Sequence, residues 1–215
     1  MRTNESTDAE ITDGEIIARS RDRPDEFALL YRRRARAVFS YVASRLSAEA
    51  AEDITSATFL VALERLDRFD ATVPNALPWL LGIATRLIRR HRRDEIATWK
   101  ALAREGAAAG FDGNGDLIDI WRPDVDAHID ATNAVRRIAG AVASLAQRDR
   151  DVLALTAWSD LDSAGIADAL GIPEGTVRSR LHRARRILRA HLDADSTRNS
   201  EEDHGRNRRS ALDAQ

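Results

Sequence analysis

The chain has no cysteine among its 215 residues. That excludes disulfides, thiolate-bound zinc and thiol nucleophiles. Its five histidines are scattered and form no metal-ligand spacing. No apolar run approaches the roughly 20 residues of a membrane-spanning helix. The opening residues, M-R-T-N-E-S-T-D-A-E, lack the apolar stretch of a signal peptide. A soluble, cytoplasmic protein is expected. No Gly-rich phosphate loop or nucleophile elbow is visible, so no catalytic residue, cofactor or metal is expected. Lysine is nearly missing too: 32 of the 33 basic residues are arginine. Arginine is the better fork for phosphate and base edges, although a GC-rich genome also favours its codons. Almost nothing reads as strand.

What is present is a strong charge pattern beneath a formal net charge of -2. Residues 1–26 carry a net -4, residues 105–130 a net -6 and residues 193–215 a net -2. The two remaining blocks together carry +10, and they also hold the apolar periodicity. Two basic helical modules, separated and flanked by acidic polar segments, are the simplest organisation. Hydrophobic residues make up 43% of the chain, enough for a core.

Helical spacing runs from Pro24 to about Leu46, then from a cap at Ser47 to about Phe69. Asp70–Pro78, with two prolines and an asparagine, reads as a loop. A third helix is expected from Pro78 or Trp79 to about Asp94. On a helical wheel its Ile83, Ala84, Leu87 and Ile88 face one way, and Thr85, Arg86, Arg89, Arg92 and Arg93 the other. Trp79, Arg86 and Arg90 align near one edge. Such a row can stack unpaired bases while arginine holds phosphate, or it is a core tryptophan beside solvated charges. The preceding helix is apolar on two sides: Phe59, Leu63 and Leu66 on one, Ile54, Ala57 and Val61 on the other. It is either deeply buried or shared with a partner.

Residues 105–126 are rich in Gly and Asp and read as a linker, in which Phe111 and Trp121 are unusual. The second helical block spans about Ala127 to Leu192. Within it Ser163–Leu170 is a short helix, Gly171 ends it, and Pro173 opens another that runs through His191. That is a helix-turn-helix. Val177, Leu181, Ala184 and Leu188 form one narrow apolar stripe, with Arg178, Ser179, His182, Arg183 and Arg186 opposite. The polar face suits a DNA major groove, or it is the solvated side of an ordinary bundle helix. A stand-alone helix-turn-helix regulator that dimerises through its first block is a competing class.

The segment G-I-P-E-G-T-V-R-S-R-L-H-R-A-R-R-I-L-R, Gly171 to Arg189, resembles region 4.2 of bacterial extracytoplasmic-function (ECF) sigma factors. Leu145–Leu155 is similar to their region 4.1, Phe27–Val42 to region 2.1, Ala51–Leu66 to region 2.2, and Pro78–Arg93 to regions 2.3 and 2.4. These segments stand in family order with family spacing. The resemblance implies an all-α fold: a region 2 bundle over 24–96, a flexible acidic linker over 97–126, a region 4 helix-turn-helix over 127–192, and a disordered tail over 193–215. It implies a dissociable subunit of core RNA polymerase that acts on promoter DNA, in the bacterial cytoplasm at the nucleoid, with an anti-sigma factor as an allowed third partner. Asp53, Phe59 and Glu64 would contact the polymerase. Trp79, Arg86, Arg89, Arg90 and Arg93 would face the minus-ten element. Glu174, Thr176, Arg178, Ser179, His182, Arg183 and Arg186 would face the minus-thirty-five element. Two departures stand out. The family often has Asn where this chain has Arg86 and Arg90, which favours phosphate over base edges. Gly165 replaces a usual Glu inside the first helix of the motif, at a cost of roughly 0.5–1 kcal/mol relative to Ala.

Overall fold

A computed structural model describes residues 11–106 and 138–191. The linker beyond Gly106 and the tail over 193–215 lie outside the described residues, as do Phe111 and Trp121. Helices α1 (Asp13–Asp22), α2 (Phe27–Ala43), α3 (Ala48–Leu63) and α4 (Leu77–Gly106) come first, with short 3-10 turns at Pro24–Glu26 and Leu66–Arg68. A short helix α5 (138–143), α6 (Gln147–Trp158), α7 (Ser163–Leu170) and α8 (174–191) follow. No strand occurs among the described residues, so the fold is all-α as expected. None of these helices is long and apolar enough to cross a membrane.

The described residues form two compact units, 11–106 with 154–177 and 138–153 with 178–191. In the first, α2, α3 and α4 pack on one another around Leu30, Val38, Val42, Leu80, Leu81 and Ile88, all fully buried. α7 also lies against α4. Gly82 permits that approach, because a Cβ there would sit 2.5 Å from the Ala169 carbonyl oxygen. In the second unit Ala141, Leu145, Val152 and Ala184 are buried.

A buried polar chain ties α2 to α4. Arg45 Nη1 donates to Tyr41 Oη at 3.0 Å. Tyr41 Oη and Thr85 Oγ1 are 2.8 Å apart, and Thr85 Oγ1 donates to the Leu81 carbonyl at 2.7 Å. The Thr85 proton is thereby committed, so the tyrosine donates to Thr85. Tyr41 is 0% and Thr85 1% exposed. This corrects the helical-wheel expectation that put Thr85 on the polar face: a hydroxyl counts as polar on a wheel, yet it can be buried once both its bonds are made. Arg92 differs in the same way, donating from Nη2 to the Arg45 carbonyl at 2.8 Å.

Two further expectations are corrected. α4 does not stop near Asp94 but continues to Gly106, ten residues into the segment expected to be linker. The acidic first 26 residues are not merely a polar flank, because α1 folds within them. Thr12 accepts the Glu15 N–H at 3.1 Å, and the Glu15 carboxylate accepts the Thr12 N–H at 2.8 Å, a reciprocal cap. Those bonds favour the ionised carboxylate and hold Glu15 below its ordinary range. Behind the cap, Ile16 and Ile17 are buried.

Candidate nucleic-acid interface

The loop before α4 is built from local hydrogen bonds. The Asp70 carboxylate accepts the Thr72 hydroxyl at 2.7 Å and the Thr72 N–H at 3.0 Å, which lowers its pKa. Val73 N–H closes a turn onto the Asp70 carbonyl. Asn75 Oδ1 accepts the Leu77 N–H at 3.0 Å in a turn that leads into α4, with Pro78 in the first turn where no N–H is needed. On this frame Trp79 is half-buried, its ring centroid 5.0 Å from that of the buried Phe69 with the planes tilted by 47°. Trp79 is therefore fixed by one aromatic neighbour without being enclosed.

Trp79, Arg86, Arg90 and Arg93 follow at i, i+7, i+11 and i+14 on α4, and the three arginines are exposed. Arg89 is half-buried. Arg90 lies 3.7 Å from Asp94, an exposed pair of little energetic weight. The guanidinium of Arg86 is crowded. Partial burial first, then the nearby charges of Arg65 and Arg89, lower its pKa. Like charges held together in this way gain when a polyanion arrives.

On α3, Phe59 is buried, edge-on to Phe27 at 6.3 Å and to Tyr31 at 4.8 Å. Its ring packs the module instead of facing outward. Leu60, which the helical-wheel reading omitted, is 58% exposed, and Leu63 is exposed as well. Asp53, Leu60 and Glu64 stand at i, i+7 and i+11, all exposed on one face.

The helix-turn-helix forms by local rules. The Asp162 side chain caps α7 by accepting the Gly165 N–H at 2.8 Å. Gly165 is thus in the first turn and supplies the capped donor, so the cost expected for a mid-helix glycine does not apply. Gly171 takes the left-handed conformation, φ 63° and ψ 43°, that only glycine adopts cheaply. Ile172 N–H bonds back to the Ala167 carbonyl at 3.1 Å, closing the turn. Along α8, Val177 and Ala184 are buried while Leu181 and Leu188 are half-buried, as the stripe implies. Arg178, Ser179, His182, Arg185, Arg186 and Arg189 are exposed; Glu174 and Thr176 are half-buried. Arg183 departs from its expected group, with Nη1 3.9 Å from Oδ2 of the buried Asp149 on α6.

The Sigma-70 region 2 family model matches residues 30–98, and the Sigma-70, region 4 model matches residues 136–188. ECF RNA polymerase sigma factor SigL of Mycobacterium tuberculosis is 34% identical over 166 residues, 76% of this chain and 86% of that protein. The chain belongs to the ECF sigma-70 factors. As a sigma factor it directs promoter-specific initiation by RNA polymerase. RNA polymerase sigma factor HrpL of Pseudomonas syringae pv. syringae is 30% identical over 148 residues, 68% of this chain and 76% of HrpL. Among solved structures, CnrH in complex with the cytosolic domain of CnrY matches with a TM-score of 0.58 and 24% identity, over 85% of this chain and 98% of CnrH. At that identity the likeness concerns the fold. In this sigma factor the region 2 match contains the Trp79–Arg93 row, and the region 4 match contains the helix-turn-helix up to Leu188.

Proposed function

We propose that residues 24–96 capture the opened minus-ten element and hold core polymerase, while residues 127–192 read the minus-thirty-five element as duplex. The observation that carries the first half is Trp79, seated on Phe69 and half exposed, at the head of the Arg86–Arg90–Arg93 face. An aromatic fixed on one side and open on the other stacks an unpaired base, and the arginines follow its backbone. Arg86 and Arg90 hold phosphate, and Arg89 assists from the side of the row. Polymerase docks on the α3 face of Asp53, Leu60 and Glu64, beneath which Phe59 sets the packing. On α8, Arg178, Ser179 and His182 reach base edges, Glu174 and Thr176 support the entry turn, and Arg183 and Arg186 meet phosphate. The chain has no catalytic residue of its own, because the polymerase supplies the chemistry. It works in the cytoplasm at the nucleoid. A further partner is an anti-sigma factor, since the solved sigma factor RpoE of Bartonella quintana is bound to the anti-sigma factor NepR.

Permanganate footprinting with core polymerase and Trp79→Ala tests the minus-ten assignment. Opening of duplex promoter should fall, and a template already unpaired there should recover much of the loss. Equal defects on both templates would refute the stacking role.

A further inference from the structure

A buried carboxylate with three hydrogen-bond partners lies outside both modules as bounded above. Asp13, at the first position of α1, is 1% exposed. Its carboxylate accepts from Arg33 Nη1 at 3.0 Å and from Arg34 Nε at 2.8 Å. Oδ2 also accepts the Ala76 N–H at 2.9 Å, across 63 residues of sequence. Its own N–H donates to the Pro74 carbonyl at 3.0 Å. One residue therefore grips the loop at two points, immediately before α4 begins, and anchors that grip to two arginines of α2.

The rest of α1 holds the same loop and the turn that leads into it. Gly14 lets the backbones touch, since a Cβ there would strike the carbonyl oxygens of Ala71 and Val73, coming 2.5 Å from the latter. Arg21 Nη2 donates to the carbonyls of Leu66 at 3.0 Å and Phe69 at 2.7 Å. Phe69 is the ring on which Trp79 sits. A fold that needed α1 only as a lid would bury apolar side chains, as Ile16 and Ile17 do. It would not need a carboxylate shared among two guanidiniums and a backbone amide, which is costly unless every bond is made.

We propose that Asp13 is a positioning residue for minus-ten recognition. By fixing residues 70–76 and the start of α4, it sets where the loop and Trp79 meet the unpaired strand. This rests on the minus-ten reading above. The test uses the full chain with core polymerase. Asp13→Asn removes the charge that both arginines share. Gly14→Ala pushes the same loop from another side and leaves that charge in place. Ile16→Val is the control, loosening α1 without touching the loop.

Core affinity and opening are measured on duplex promoters that differ by one base at each minus-ten position, well below the melting temperature of each variant. Wild type should prefer the matched element by about tenfold. Asp13→Asn and Gly14→Ala should bring that ratio towards one with core affinity unchanged, while Ile16→Val keeps it. If both loop variants keep the wild-type ratio, or lose core affinity and opening in parallel, Asp13 only stabilises the fold and the proposal fails. A wild-type chain indifferent to the minus-ten sequence would instead overturn the reading beneath it.

Discussion

Thr85 and Arg86 are adjacent on α4, and the structure gives them opposite duties. Thr85→Val is nearly isosteric, so it opens no cavity. It does remove the acceptor of the Tyr41 hydroxyl, which is 0% exposed and has its own acceptor site taken by Arg45. Losing a buried hydrogen bond costs about 1–3 kcal/mol. That is a large share of the roughly 5–15 kcal/mol that holds a domain folded. Urea unfolding of the full chain should show a lower midpoint at unchanged slope. Tyr41→Phe should remove most of the additional cost of Thr85→Val, because the hydroxyl that bonds Thr85 is then gone. Promoter opening by the folded Thr85→Val protein should match wild type. Arg86→Ala should do the reverse, leaving the midpoint nearly unmoved and impairing opening. A Thr85→Val protein of wild-type stability, or one that is stable yet defective in opening, would refute the buried-chain assignment.

On α8, Arg178→Ala should cost roughly 1–3 kcal/mol and relax preference at one or two minus-thirty-five positions. Arg186→Ala should weaken all sequences about equally and reduce the salt slope by about one; binding to single-base variants at several salt concentrations separates the two. On α3, Leu60→Asp should reduce core affinity with stability retained, whereas Phe59→Ala should lose about 3–5 kcal/mol of stability; pull-down with core polymerase beside thermal unfolding checks both. The hydrogen bonds at Thr12–Glu15 and Asp70–Thr72 favour the ionised carboxylates, so both pKa values are lower folded than unfolded. Their stabilisation is complete above the unfolded values and is lost as pH falls through the folded ones. Carboxyl titration by NMR should find both below their values in the urea-unfolded chain.

The features most legible in sequence were those made by local rules. Gly171 and Pro173 mark the turn of the helix-turn-helix because each restricts the backbone within a few residues. The arginine face of α4 follows from its period. Features that depend on distant partners were hidden. Asp13 looks like one more acid in an acidic flank until Arg33, Arg34 and Ala76 are brought to it. A local signal did exist, since Thr12 and Glu15 in front of Ile16–Ile17 spell a capping box before an apolar pair. Thr85 looks polar until Tyr41 arrives from 44 residues away. Leu60 falls between the two apolar sides of α3, so periodicity did not single it out. Arg183 shares the polar face of α8, and only the fold reveals Asp149 beside it.

The most direct test of the central claim is run-off transcription with purified core polymerase, the full chain and genomic fragments. Core enzyme alone should give no discrete products, and adding the chain should give defined starts at a limited set of promoters. Permanganate-reactive thymines should appear just upstream of each start. If the chain binds promoter duplex through its helix-turn-helix but neither associates with core nor opens DNA, it is a stand-alone regulator and the proposed division of labour is wrong.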